Sequence, residues 1–213
     1  MRTASLSLLT ILCLLLVAAP AMADTLYDNG PINGTTDAWT INFGFSVTNS
    51  FTCGSQDCSV EDFHIGVWLT QGDTLSSVEM QLGFTSFGNQ YTDQVLNATG
   101  QTNLFVNAYG FQVAIVDFSL TNIDVPNGTN WITLQNAVTP GFNPVYWDEN
   151  SGPSSAFENM FGSIPSEAFT ITGSATGCGG RPDCGETPEP SSILLLGSGI
   201  LGLAGVLRRK LGR

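Results

Sequence analysis

The sequence predicts an all-β protein, a single antiparallel β-sandwich of jelly-roll type. Three observations predict it. Apolar and polar residues alternate over several short stretches, clusters of Gly, Asn, Pro and Asp separate those stretches, and no run between the two ends keeps a 3.6-residue period. The 24 glycines and the scarcity of lysine favour turns and strands over helices.

The elements follow in order. From Ala38 to Val47, the residues Trp39, Ile41, Phe43, Phe45 and Val47 share one parity, which predicts one half-buried strand. Phe63, Ile65, Val67 and Leu69 predict a second, and Val78, Met80, Leu82 and Phe84 a third. From Tyr109 onward Phe111, Val113 and Ile115 alternate, then Phe118 and Leu120 continue on the other parity. That slip at Val116-Asp117 predicts a β-bulge. Asn130 to Val138 and Glu167 to Gly173 complete the set, with turns at Asn29-Gly30-Pro31, Gln71-Gly72-Asp73, Pro126-Asn127-Gly128 and Thr139-Pro140-Gly141.

The two ends read differently. Arg2, the apolar run Leu6 to Ala18 and the A-x-A-like Ala21-Met22-Ala23 before Asp24 predict a signal peptide over residues 1–23. The acidic sandwich domain then spans 24–173, and a Gly/Cys/Pro spacer spans 174–187. In the tail, residues 188–213, Pro188-Glu189-Pro190 breaks the chain before an apolar run, 191–207, and a basic stop, 208–213. At 1.5 Å per residue a helix over that run reaches about 26 Å, against a hydrocarbon core of about 30 Å. It is a marginal membrane span. Arg208, Arg209 and Lys210 place its end in the cytoplasm and the body outside.

This three-part tail resembles the PEP-CTERM sorting signal of Gram-negative bacteria. The resemblance covers residues 188–213 and implies recognition by a membrane-embedded exosortase, with cleavage near Pro188-Glu189-Pro190. It implies passage from the inner membrane to the cell surface or the exopolysaccharide. The segments Leu26 to Pro31, Pro144 to Gly152 and Ile164 to Phe169 are also similar to those of other PEP-CTERM proteins. They carry no assigned activity.

Charge narrows the partners. All eighteen acidic residues lie between Asp24 and Glu189, with Arg181 the one basic residue among them, for a net charge of −17. Such a surface repels nucleic acid and anionic lipid. Four cysteines lie beyond the signal peptide: Cys53, Cys58, Cys178 and Cys184. Export predicts disulfides in one of three pairings, and sequence proximity suggests Cys53–Cys58 and Cys178–Cys184. Neither spacing matches a zinc knuckle.

The site candidates are few. Trp68 and Trp131 sit on the strand parity opposite their aliphatic neighbours, so their indoles face outward or toward covering loops. Outward, with Asn, Gln and Asp nearby, they suit a sugar ring; under loops, they are ordinary packing. Asp148 and Glu149 offer oxygen ligands of the kind Ca²⁺ takes, without EF-hand spacing. A carboxylate pair for glycoside hydrolysis would come from Asp148, Glu149, Glu158 or Glu167. His64 is the one histidine, and the body has no nucleophile elbow. The expected role is a structural or adhesive surface protein with no catalytic residue; the alternatives are a glycan-binding module that uses Trp68 and Trp131, and a secreted hydrolase.

Overall fold

The computed structural model describes residues 23–54 and 56–176. Residues 1–22 of the predicted signal peptide, Ala21 among them, and Cys178, Cys184, Pro188, Glu189, Pro190, the predicted apolar helix 191–207, Arg208, Arg209 and Lys210 lie outside the described residues. Within them the protein is two antiparallel sheets and no helix.

One sheet is organised on β4 (Cys58–Thr70), the strand with the Phe63, Ile65, Val67, Leu69 alternation. Along one edge β4 pairs with β8 (Phe111–Val125), which pairs in turn with β7 (Gly100–Val106). Its other edge is shared. β13 (Phe169–Ala175) covers Cys58 to Ile65, and β10 (Tyr146–Asp148) covers Val67 and Trp68. β1 (Asp24–Asp28) flanks β13, and β2 (Ala38–Thr40) flanks β10. The second sheet runs β12 (Gly162–Ile164), β11 (Ala156–Glu158), β3 (Ser46–Thr52), β9 (Thr129–Val138), β5 (Ser77–Gly83) and β6 (Thr92–Asn97).

The inner faces close on one apolar core. β4 and β8 contribute Phe63, Ile65, Val67, Leu69, Ala114, Val116 and Phe118; β3, β5 and β9 answer with Val47, Phe51, Met80, Leu82, Ile132 and Leu134. Each large side chain buried this way stabilises the fold by about 1.5–3 kcal/mol. Cys53 and Cys58 form the expected disulfide, with Cα atoms 5.7 Å apart, and pin the crossing from β3 to β4. At that same end the chain leaves β13 at Ala175, opposite Cys58. Asp24 of β1 also lies there, opposite Gly173. The far end of the sandwich is the Thr70 end of β4.

Three expectations are corrected. Ala38 to Val47 is not one strand: the chain turns at 42–45, so β2 joins one sheet and β3 the other. Phe43 and Phe45, expected in the core, are exposed at that turn. β8 does not slip at Val116-Asp117, because its pairing with β4 is regular from Phe111 to Ser119. The core parity is Ala114, Val116, Phe118 and Leu120, and the irregularity falls between Ser119 and Ile123. Val113 and Ile115 are apolar because a loop covers the outer face there too. The third strand ends at Gly83, and Phe84 lies outside it, exposed. β1, β6, β7, β10, β11 and β12 were not predicted as strands.

Candidate functional site

The outer face of the β4 sheet carries the most elaborate local structure. His64, Gly66 and Trp68 point outward from β4, and the segment 29–37 runs over them. Gly66 makes room for this cover: a Cβ there would stand 2.7 Å from Ile32 Cγ1. Gly34 adopts φ +67° and lies against Phe105 and Val113, where a side chain would collide.

Asp148 fastens the cover. Its Oδ2 accepts from Asn33 N at 2.6 Å, and its Oδ1 from Gly34 N at 2.7 Å and from Trp68 Nε1 at 2.5 Å. Burial pushes this carboxyl above its ordinary range, and the three N–H donors pull it back. One side chain thus ties β10, the covering segment and Trp68 together.

Beside this knot lies a groove of about 320 Å³ between the segment 36–38 and the turn that leads into β8. Trp68, Tyr109, Phe111 and Tyr146 line it, with Thr36 and Asp37 as its polar wall. Tyr109 stacks on Trp68 with ring centres 5.6 Å apart and planes 21° apart. Phe111 meets Tyr146 edge-on at 5.3 Å. Trp68 itself is only 5 % exposed, whereas Tyr109 is 62 % exposed. The ring that meets solvent is therefore Tyr109, with Trp68 as its backing. Asn107 shapes the turn by accepting from the backbone N–H of Tyr109 and Phe111 at 3.1 and 3.0 Å.

Trp131 stands elsewhere. On β9 it takes the parity opposite the core residues Ile132 and Leu134, so it faces out from the other sheet, against Phe157 at 5.7 Å. Trp68 and Trp131 lie on opposite faces of the sandwich and do not form one platform.

The carboxylates divide between two faces. Asp148 points outward, while Glu149, one residue on, turns inward. There its Oε2 accepts from Trp39 Nε1 at 3.0 Å. Asp148 and Glu149 thus do not converge on one ion, and among the described residues no group of three or more His, Cys, Asp or Glu side chains could hold a metal. Glu149 and Glu167 are backbone partners in an isolated antiparallel β-bridge. Glu167 is fully buried, and its Oε2 accepts from Asn49 Nδ2 at 2.5 Å while its Oε1 has no partner. Burial, with Glu149 and Asp148 adding to it against the Asn49 bond, raises the Glu167 carboxyl well above the usual range. Glu158 is also buried, accepting from Met160 N and Phe161 N at 2.8 and 2.6 Å. His64 pairs with Asp117 at 2.7 Å on the outer face.

Sequence reasoning missed Tyr109, Phe111, Tyr146, Thr36 and Asp37 as groove residues. The signal was the Asn107-Ala108-Tyr109-Gly110 turn, whose Gly110 has φ +86° and lifts Tyr109 out of the strand.

Fold and charge define an acidic all-β sandwich protein that carries its own disulfide. Residues 186–210 match the PEP-CTERM protein-sorting motif. The chain thus bears a signal for export, for transient membrane association through its C-terminus and for handling by an exosortase-type enzyme. No curated protein matches the chain.

Proposed function

We propose that this exported protein is a non-catalytic surface or matrix component that holds exopolysaccharide in the Tyr109 groove. The observation that carries the reading is the groove itself. It presents an exposed aromatic ring backed by a rigid, hydrogen-bonded Trp68, with Asp37 and Thr36 within the same wall. An aromatic face takes the apolar face of a pyranose, and flanking oxygens take its hydroxyls. Asp37 and the acidic body favour neutral or amino sugars over uronic acids.

A binding role is further supported by the carboxylates. Glu149, Glu158 and Glu167 are buried, and none of them lines the groove. After export, release of the tail near Pro188-Glu189-Pro190 would free the sandwich from the inner membrane.

The test is retention of the full chain on exopolysaccharide prepared from the native cells. Replacing Tyr109 and Tyr146 by Ala should cut retention at least tenfold, since one stacked ring is worth on the order of 1 kcal/mol. Trp131→Ala, on the opposite face, should leave it unchanged. Equal retention of the Tyr109→Ala/Tyr146→Ala protein would remove the glycan reading.

A further inference from the structure

The groove beside Asp148 combines two kinds of wall, aromatic rings and one carboxylate. The rings form a connected set. Trp68 lies 5.6 Å from Tyr109 and 6.1 Å from Phe111, and Phe111 lies 5.3 Å from Tyr146, centre to centre. Asp37 is the one charged side chain in the lining, and it is exposed. Its Oδ1 accepts from the Ala38 N–H at 2.8 Å, which holds the carboxylate at the start of β2.

Both walls attract positive charge. An aromatic face is the negative side of the ring quadrupole, and it draws a cation placed over it. The bond from Trp68 Nε1 to Asp148 Oδ1 polarises the indole and makes that face more negative. Nothing in the body offsets the field. Residues 24–176 contain fifteen Asp and Glu and no Lys or Arg, and the one histidine, His64, pairs with Asp117. A hard metal ion fits poorly, since Ca²⁺ takes about six to eight oxygens and the groove offers one carboxylate among rings. An organic ammonium fits both walls: its carbon body meets the rings and its N–H groups meet Asp37.

We propose, on the glycan reading above, that the groove selects an amino sugar with a free, protonated amine over its neutral N-acetylated form. The pyranose ring lies on Tyr109, the most exposed of the four rings at 62 %, and its ammonium group is directed to Asp37. The Thr36 hydroxyl, in the same wall, meets a sugar hydroxyl. N-acetylation removes the charge that Asp37 and the rings attract, and a uronic acid is repelled by the same carboxylate.

The test titrates the full chain calorimetrically with a de-N-acetylated chitosan oligosaccharide, its N-acetylated counterpart of equal length, and a lysine peptide of equal charge. Mildly acidic buffer keeps the amines protonated. The cationic oligomer should bind at least about fivefold more tightly than the neutral one. Asp37→Asn can still accept from the Ala38 N–H, so the turn is kept; it should lower that ratio to about twofold without weakening the neutral oligomer. Tyr109→Ala should weaken both oligomers. Asp124→Asn removes an equal charge opposite Ser59, at the Cys58 end of β4, and should leave the ratio unchanged. Equal affinity for the two oligomers would overturn the proposal, while the glycan reading would still stand or fall by retention on native exopolysaccharide. A ratio that survives Asp37→Asn, or that falls as far with Asp124→Asn, would trace the preference to overall acidity and overturn it too. Tighter binding of the lysine peptide than of the cationic oligomer would overturn it in favour of a basic protein partner.

Discussion

At the residue scale, Asp148 and Glu167 show two fates of a buried carboxylate. Asp148 has three N–H donors and holds a loop, a strand and an indole in register. Asp148→Ala would orphan those donors and should destabilise the protein by about 3 kcal/mol, seen as a lower denaturant midpoint and a change in Trp fluorescence. Glu167 has one donor, a neighbouring Glu149 and no cation, so its proton is favoured by the fold. Its folded pKa lies above the unfolded one. The stabilisation is complete at acid pH and declines as pH rises from about 4.3 through the folded value. Glu167→Gln keeps the Asn49 bond without the charge; it should flatten that decline and raise the melting temperature at neutral and alkaline pH. Melting curves from pH 4 to 9 read both effects, and parallel curves for the two proteins would contradict the assignment.

At the scale of the element, what could be read from sequence followed from which faces are dry. β4 and β9 were legible because one parity is core and the other is mainly polar or small, and period-2 alternation reports that difference directly. β8 misled because Val113 and Ile115 are covered by the segment 29–37 while Val116 and Phe118 fill the core, so both parities are apolar and mimic a slip. In Ala38 to Val47 the alternation is real, but the chain crosses between sheets without breaking it, and Phe43 at the turn looks like a core residue. The strands β10, β11 and β12 have three residues each, too short for a period to declare itself. The groove was half legible: Trp68 was found from parity, but Tyr109 and Tyr146 come from distant segments that only the fold unites. The Cys53–Cys58 bridge, read from proximity, spans the connection between sheets. Reducing it should lower stability by about 2 kcal/mol, measured by denaturation with and without reductant.

At the scale of the whole molecule, charge and address act together. Fifteen acids without Lys or Arg in residues 24–176 make the body self-repelling, so added salt should raise its melting temperature, most steeply below about 0.15 M where screening is weak. A flat salt response would show that the acids are too dispersed to matter. The sorting motif at 186–210 sets a separate expectation: protein isolated from the native cells should have an intact mass that lacks both residues 1–23 and the Arg-rich end. A mass that includes Arg208 to Arg213 would mean a tether that is never released.

The pairing of Asp24 with Gly173 brings the first and last strands to the same end of the sandwich. A reporter spliced just ahead of β1 would therefore sit at the Cys58 end of β4, the end where the Cys53–Cys58 bridge lies. The aromatic groove around Trp68, near the other end of β4, would stay clear, so such a fusion could be followed in living cultures with that groove unobstructed.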